Sequence, residues 1–220
     1  MSGSNKYLQL AFNSTLVDFY SVVSQIPRYD NIIIEAGTPL IKREGTKAIA
    51  IMKRYWPGEI CADIKVVDGA REEVLMAKEA GASYITALGN ASKETLQIFV
   101  NTCKEVGIKS VIDMINTPDP LKSLWRANIV PDVVTIHRGR DEENSFGKVI
   151  QYKNISKIKG KWDILVGAAG GIDQKEMHSA AFNGADIVVV NVVRPNDPWG
   201  GLVMDRKFNE NISDFIDLIK

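Results

Sequence analysis

Short apolar runs rich in β-branched residues alternate with longer segments of helical periodicity, and the alternation repeats about eight times along the chain. Each run indicates a strand, and each segment after it indicates a helix that carries the chain back to start the next strand. The strand candidates are residues 8–12, 31–36, 60–65, 84–88, 110–115, 133–137, 164–168 and 187–191. The sequence therefore predicts repeated βα units.

The predicted strands are almost continuously apolar, as Ile32, Ile33 and Ile34 illustrate, which is typical of a parallel sheet covered by helices on its outer face. Amphipathic segments at 70–80, 93–106 and 174–183 each end beside a glycine suited to a helix C-cap, namely Gly81, Gly107 and Gly184. Eight units in 220 residues leave little room for insertions. This favours an α/β fold with a single-domain (β/α)8 TIM barrel over residues 1–220, ahead of a doubly wound sheet.

The overall charge is balanced, since 27 Lys and Arg residues offset 27 Asp and Glu residues. No general field draws the chain to nucleic acid or to an anionic membrane, so we expect neither partner. The segment 1–7 lacks the apolar core of a signal peptide, and no apolar stretch approaches about 18 residues. Cys61 and Cys103 show no metal-type spacing and fit buried positions in a reducing compartment. We expect a cytoplasmic protein.

Ionisable residues interrupt the predicted strands near their carboxyl ends. Glu35 lies in the second strand, Asp63 and Lys65 in the third, Asp113 in the fifth and His137 in the sixth. Neighbouring strands are about 4.8 Å apart, so these side chains are expected to meet at one barrel mouth. In this fold that mouth is where the chemistry takes place.

Asp63 and Lys65 are two residues apart on one strand and therefore share a face. Asp68 follows just past the strand. A lysine flanked by carboxylates stays protonated, so Lys65 is expected to stabilise negative charge electrostatically rather than act as a nucleophile. A structural ion pair at the barrel rim is the alternative.

Glu35 and Asp63 supply only oxygen ligands on neighbouring strands, which suits Mg²⁺. Mg²⁺ needs one or two protein carboxylates and completes its shell with water and substrate oxygens. The absence of a His/Cys cluster argues against zinc. Hydrogen-bonded carboxylates without a metal are the alternative.

Gly170 and Gly171 follow the seventh strand, where backbone N–H groups at a strand-to-helix turn can bind phosphate. A tight turn alone is the alternative. Arg194, shortly after the eighth strand, is expected to add a bidentate contact. The histidine that ends the sixth strand, His137, is expected to carry protons, and the loop 138–148 after it is expected to lie over the site.

Five motifs in one order carry a resemblance to a known family. They are Glu35-Ala36-Gly37-Thr38-Pro39-Leu40-Ile41-Lys42, Ala62-Asp63-Ile64-Lys65-Val66-Val67-Asp68, Asp113-Met114-Ile115-Asn116-Thr117-Pro118-Asp119, His137-Arg138-Gly139-Arg140-Asp141 and Ala169-Gly170-Gly171-Ile172. The chain resembles the orotidine monophosphate decarboxylase suprafamily. Within it, the similarity is to the branch of 3-hexulose-6-phosphate synthase and 3-keto-L-gulonate-6-phosphate decarboxylase.

The resemblance implies a homodimer with shared active sites, in which Asp68 serves the neighbouring subunit. It implies that Mg²⁺ near Glu35 and Asp63 helps hold an enediolate of a phosphorylated ketose, with Lys65 supplying positive charge. For a synthase, His137 would move the C1 proton of ribulose 5-phosphate, and formaldehyde would add reversibly. The alternative is a decarboxylase that forms its enediolate by losing CO2. Asp113 and Arg140 would bind substrate in either case.

Three departures from the family pattern affect these expectations. Asn13 replaces the usual aspartate at the end of the first strand, where it would still contact substrate. Arg140 matches the decarboxylase branch, although the longer motif around Asp113 favours the synthase. The loop after the eighth strand lacks the usual glycine, and Asn191 at the strand end and Arg194 in the loop are expected to bind the phosphate. A sugar-phosphate-binding protein with weakened catalysis is the third interpretation.

Overall fold

Eight parallel strands form a closed barrel. The computed structural model describes residues 6–143, 145 and 147–219, so the prediction for the first five residues lies outside it. Consecutive strands pair in chain order, and the first pairs with the eighth. They are β1 (Tyr7–Phe12), β2 (Ile32–Ala36), β3 (Glu59–Val66), β4 (Tyr84–Leu88), β5 (Lys109–Asp113), β6 (Val133–His137), β7 (Leu165–Ala169) and β8 (Ile187–Val193). This closure confirms the predicted barrel and excludes a doubly wound sheet.

Helices cover the outside of the barrel. They are α1 (Leu16–Val22), α2 (Thr38–Glu44), α3 (Lys47–Tyr55), α4 (Ala70–Glu79), α5 (Lys93–Val106), α6 (Pro120–Ala127), α7 (Lys153–Lys159), α8 (Gln174–Phe182) and α9 (Phe208–Ile219). The three helices predicted from periodicity are present within one residue of their expected ends. Gly107 ends α5 with φ of +67°, a conformation that favours glycine. Within the described part of the chain, no helix combines the length and apolarity needed to cross a bilayer.

Most strand ends agree with the prediction to within one residue, and the two that differ by two residues both lie at the barrel mouth. β5 ends at Asp113, two residues early, because the Asp113 carboxylate accepts the backbone N–H of Ile115 at 2.9 Å. β8 continues past residue 191 because a ninth strand, β9 (Leu202–Val203), pairs with it in parallel. Asn191, predicted as the last residue of the strand, therefore lies inside it, and Val192 and Val193 also belong to β8.

The barrel interior is layered. Its lower layer is apolar and comprises Ile33, Cys61, Tyr84, Val111, Val133 and Ile187. Successive inward side chains on a strand are two residues apart, so the next layer towards the carboxyl ends begins two positions later. That layer is polar and buried, and comprises Glu35, Asp63, Thr86, Asp113 and Thr135. The polar layer at the barrel mouth therefore packs directly on a buried apolar layer.

Candidate active site

A cavity opens at the carboxyl ends of the strands and gathers most of the predicted site residues. Its lining includes nine of them, namely Asn13, Glu35, Asp63, Lys65, Asp113, His137, Arg140, Gly170 and Asn191. The remaining three, Asp68, Gly171 and Arg194, are not part of the lining. The convergence expected from strand ends is therefore present.

An irregularity in β3 aims Lys65 into the cavity. The strand pairs Ala62 with Ile85 and Val66 with Ala87, so β3 carries two more residues than β4 over the same interval. Lys65 itself adopts φ of +59°, which costs a side-chain-bearing residue about 1 kcal/mol or more. Its N–H is held by Thr86 Oγ1 at 2.9 Å. Such local strain at a cavity-lining lysine is typical of a functional position.

Lys65, Asp113 and His137 form one buried network. Lys65 Nζ donates to Asp113 Oδ2 at 2.5 Å and to Asp63 Oδ1 at 3.0 Å. His137 Nδ1 lies 2.9 Å from Asp113 Oδ2. An ionised carboxylate only accepts hydrogen bonds, so Nδ1 carries the proton and Nε2 is left as the basic nitrogen. The network fixes both the charge of the lysine and the tautomer of the histidine.

The same contacts shift the pKa values of all three groups. Burial alone would lower the pKa of Lys65, but the carboxylates of Asp63 and Asp113 outweigh it and raise that pKa. Burial also opposes ionisation of Asp113, yet His137 and Lys65 lower the pKa of this carboxyl well below its usual range. For His137, the Asp113 carboxylate outweighs burial and raises the imidazole pKa. This geometry is consistent with the prediction that Lys65 is protonated.

Glu35 and Asp63 bring two carboxylates together at the other side of Lys65. Burial, followed by the charge of Asp63, raises the pKa of Glu35 to about 7. Gln9 Nε2 donates to one Glu35 oxygen. The Asp63 carboxylate accepts hydrogen bonds from the hydroxyl groups of Thr38 at 2.7 Å and Thr86 at 2.9 Å. The repulsion between two buried carboxylates is what a divalent cation would relieve.

The donor set of Glu35 and Asp63 fits Mg²⁺ rather than zinc or calcium. Both residues offer oxygen alone, and Mg²⁺ binds through one or two carboxylates while water and substrate supply the rest. Within residues 6–143, 145 and 147–219, no cluster of three or more His, Cys, Asp or Glu side chains is arranged to hold a metal ion. A structural zinc site or an all-protein calcium cage is therefore not formed by these residues.

Amides and glycines line the opposite part of the cavity. Asn13 Nδ2 donates to Asn191 Oδ1 at 3.0 Å, which joins the ends of β1 and β8. Gly170 adopts φ of +112°, and a Cβ there would meet the carbonyl oxygen of Arg138 at 2.2 Å. Gly171 follows with φ of +62°. These two positions require glycine. Gly170 is buried, and the side chains of Arg138 and Glu143 lie against Gly171.

Arg194 lies away from the cavity. Its guanidinium forms a bidentate pair with Asp18 at the start of α1, at 2.8 Å and 2.9 Å. This contact is half-exposed and ties the end of β8 to the outer helix layer. The phosphate contact expected of Arg194 stays a prediction that would require this pair to open.

Asp68 is also outside the cavity of its own chain. It is exposed at the start of α4 and lines a separate groove with Ile98 and Asn101 of α5. The neighbouring Val67 is exposed as well. The expected role of Asp68 in a second subunit is compatible with this position and stays a prediction.

The structure adds lining residues that the motifs did not single out, namely Gln9, Thr38, Thr86, Thr135 and Glu143. Three of these, Gln9, Thr86 and Thr135, are buried and polar on predicted strands. Their inward orientation follows from the two-residue strand period, so this signal was available in the sequence. Glu143 belongs to the loop after β6, where no comparable periodicity exists. Residues 144 and 146 of that loop lie outside the described part of the chain.

Comparison of the sequence with family models identifies its relatives. The model of the orotidine 5'-phosphate decarboxylase / HUMPS family matches residues 6–191. The chain belongs to this family. The resemblance predicted from the five motifs is thereby confirmed over most of the barrel.

Several family members are similar to this chain. The bifunctional enzyme Fae/Hps of Methanothrix thermoacetophila is 38% identical over 186 residues, covering 84% of this chain and 47% of that protein. The enzyme of the same name from Methanocaldococcus jannaschii is 39% identical over 171 residues, covering 76% and 42% respectively. The chain spans about half the length of these curated relatives.

Solved structures of the family share the fold. A 3-hexulose-6-phosphate synthase from Salmonella typhimurium superposes with a TM-score of 0.83 at 28% identity, covering 97% of this chain and 98% of that one. A KGPDC from Streptococcus mutans superposes with a TM-score of 0.76 at 17% identity, covering 98% and 97%, which supports the fold alone.

Proposed function

We propose that the chain is a 3-hexulose-6-phosphate synthase that adds formaldehyde reversibly to ribulose 5-phosphate. The observation that carries the proposal is the network of Lys65, Asp113 and His137, which sets a protonated lysine beside a histidine base in one cavity. The similar synthase from Salmonella typhimurium supports the choice of reaction. So do the Fae/Hps relatives.

His137 performs the proton transfer in this scheme. Its free Nε2 takes a proton from C1 of ribulose 5-phosphate, and the electron pair of that C–H bond forms an enediolate over C1 and C2. Asp113 stabilises the resulting imidazolium, in line with the raised pKa of His137. C1 then attacks the formaldehyde carbon as the ketone at C2 re-forms, and the formaldehyde oxygen takes the proton back from the His137 imidazolium to give 3-hexulose 6-phosphate. Atoms and charges balance, and the reverse path releases formaldehyde.

Lys65 supports the charge that develops on the enediolate oxygens. Because Asp63 and Asp113 keep it protonated, it presents a fixed positive charge in a site largely shielded from water. Mg²⁺, as part of this proposal, would be held by Glu35 and Asp63 and would supply Lewis-acid stabilisation of the same oxygens. Thr38 and Thr86 orient the Asp63 carboxylate for either task.

The phosphate group is assigned to the amide side of the cavity. Gly170 and Gly171 lie in the turn between β7 and α8, where backbone N–H groups can stabilise an anion. Asn13 and Asn191 contribute amide groups to the seam beside these glycines. Arg140, which lines the cavity, adds a positive charge towards substrate. Arg194 would join only by leaving Asp18.

A homodimer with shared active sites also belongs to the proposal. Asp68 lies outside its own cavity in a groove flanked by exposed apolar side chains, Val67 and Ile98. An acidic residue in such a setting fits a role at the active site of a second copy. Sedimentation should show a dimer, and Asp68→Asn should lower turnover while the dimer persists. A monomeric active protein would contradict this part of the proposal.

We place the protein in the cytoplasm within the same proposal. Cys61 and Cys103 are both free and buried, which is compatible with a reducing compartment.

The decisive experiment follows formaldehyde consumption in the presence of ribulose 5-phosphate and Mg²⁺, with a parallel reaction containing chelator. We expect consumption that depends on both substrate and metal. Lys65→Ala provides the inactive comparison. Absence of consumption by the unmodified protein would contradict the proposal.

A decarboxylase of 3-keto-L-gulonate 6-phosphate is the second candidate. Arg140 favours it, because an arginine occupies the corresponding motif position in that branch and lines the cavity here. CO2 release from 3-keto-L-gulonate 6-phosphate, without formaldehyde consumption in the first assay, would select this candidate.

A further inference from the structure

A carboxylate of the protein lies where the proposed phosphate site is built. The side chain of Glu143, from the loop after β6, reaches Gly171 so closely that a Cβ added there would be 2.7 Å from the carboxylate. Glu143 also lines the main cavity together with Gly170 and Asn191. An acidic side chain is thus inserted among the glycines that the fold presents to an anion.

Positive charge surrounds this carboxylate. Burial raises the pKa of Glu143, while Arg138, Arg140, His137 and the backbone N–H of Gly200 act against it and favour the ionised form. One guanidinium nitrogen of Arg138, Nη2, donates to the carbonyl of Gly170 at 2.8 Å. Its Nε is buried and has no hydrogen-bond partner among the described residues. The surroundings offer more donors and positive charge than one carboxylate uses.

The loops that supply these groups are packed against each other. The Arg140 guanidinium lies 5.1 Å from the ring centroid of Trp199, a cation–π distance. Gly200 follows directly and packs on the backbone of Gly171, where a Cβ would meet the Gly171 carbonyl at 2.8 Å. The position of Glu143 is therefore defined by contacts from the loops after β6, β7 and β8.

A dianionic phosphate and this carboxylate require the same surroundings. Both are stabilised by backbone N–H groups and by arginine, and two anions cannot share one small concave position without strong repulsion. We propose that the Glu143 carboxylate competes with the substrate phosphate for one position. While Glu143 occupies that position, the affinity of the protein for phosphate is lowered, and phosphate binds when the side chain turns away. This inference rests on the proposed function, because it takes the glycine turn as the phosphate site.

Glu143→Gln tests the inference, with Glu142→Gln as the matched control. Glu142 is its chain neighbour, but its carboxylate pairs with Lys148 and with the N–H of Gly139 instead of reaching Gly171. Calorimetric titration with inorganic phosphate gives the affinity of each protein. We expect Glu143→Gln to lower the Kd for inorganic phosphate about two- to fivefold, which is the effect expected from removing one partly exposed charge. Glu142→Gln should leave this Kd unchanged.

Varying the ionic strength distinguishes occupation of the phosphate position by Glu143 from a long-range electrostatic effect of its charge. Salt screens charges that are not in contact, whereas a side chain that fills the site competes at any ionic strength. The ratio of the two Kd values should therefore persist when salt is raised. A ratio that falls to one, or an equal effect of Glu142→Gln, would overturn the inference.

Steady-state kinetics give a readout that a purely structural role would not move. Glu143→Gln should lower KM for ribulose 5-phosphate by a similar factor with kcat little changed. An unchanged or raised KM would reject the inference. Because formaldehyde consumption by the unmodified protein is measured independently, an active enzyme with an unaltered KM in Glu143→Gln would reject the inference while leaving the proposed function intact.

Discussion

The cavity has two halves built on different principles. The charged half comprises Glu35, Asp63, Lys65, Asp113 and His137 at the ends of β2, β3, β5 and β6. The amide half comprises Asn13, Asn191 and Gly170 at the ends of β1, β8 and β7, with Gly171 directly behind Gly170. In the first half, buried ions hold one another in place. In the second, amide hydrogen bonds and open backbone define the surface.

The difference reflects what each half must recognise. Charge that develops during a reaction is best stabilised by groups fixed in advance, and Lys65 is fixed by two carboxylates. In the proposed reaction, an anion already present in the substrate would be bound by backbone N–H groups at a glycine turn such as Gly170-Gly171. Substitutions in the charged half should therefore affect turnover, and those in the amide half should affect affinity.

The largest expected effect is that of Lys65→Ala. Removal of the fixed positive charge should lower kcat by about 10³-fold. It also leaves Asp63 and Asp113 without their cation, so the free energy of unfolding should fall by about 3–5 kcal/mol while far-UV circular dichroism stays unchanged. The control is Lys109→Ala, at the opposite end of the barrel beside Tyr84, which should retain activity. An active Lys65→Ala protein would contradict the enediolate scheme.

His137→Gln should produce the next largest loss, about 10²-fold in kcat, because the proton acceptor is removed. In the unmodified protein, kcat/KM should rise with pH through an apparent pKa above 6.5. The reason is that Asp113 raises the pKa of His137 and the base must be deprotonated. The exposed His178→Gln is the control. Exchange of the C1 proton of ribulose 5-phosphate in D2O, measured by NMR, should disappear only in the His137 variant.

Glu35→Gln should change stability in a pH-dependent way. The pKa of Glu35 is raised from 4.5 to about 7 in the folded protein, so the folded state binds more protons than the unfolded state between these values. Stability contributed by the protonated carboxyl is complete below about pH 4.5 and is lost as pH rises towards 7. At pH 8 without metal, the variant should be about 1–3 kcal/mol more stable.

Thermal unfolding at pH 4.5 and pH 8 measures this effect. The two proteins should differ little at the lower pH. Glu79→Gln, at an exposed helix end, should show no comparable gain at pH 8. Mg²⁺ should raise the melting temperature of the unmodified protein more than that of Glu35→Gln. Equal responses to Mg²⁺ would argue against a metal at Glu35.

Asn13→Asp should produce the smallest change, since it introduces charge into the amide half. A carboxylate accepts hydrogen bonds from substrate hydroxyl groups more strongly than an amide does, so kcat/KM should rise about two- to fivefold. Asn191→Asp places the same charge on the other partner of this hydrogen bond, nearer to Gly200, and should instead raise KM. Equal responses of the two variants would show that the two amides do not have different roles within the amide half.

The charged half could be predicted from the sequence because strand periodicity determines it. Glu35, Asp63 and Asp113 interrupt apolar runs, and a two-residue period places them inside the barrel. Lys65 lines the cavity as predicted, although the irregular pairing of β3 and a positive φ are what orient it. Irregularities of this kind depend on tertiary contacts such as the one with Thr86.

The amide half was harder to predict because loops shape it. The pair between Arg194 and Asp18, and the approach of Glu143 to Gly171, join residues that no local pattern relates. The eighth strand was predicted to end at Asn191, and only the pairing of β9 with β8 shows that it continues to Val193. Backbone preference identified Gly170 and Gly171 as special, but the groups that would surround a phosphate depend on three separate loops.

The hydrogen bond from Asn13 to Asn191 spans 178 positions of the chain. Contacts at such separation form late, because the intervening chain must be ordered before they can be made. During synthesis, the residues of the charged half are all present before β8 has been made. The amide half is assembled only when the last barrel strand joins the first. Binding of a sugar phosphate through this seam would therefore report that the barrel has closed.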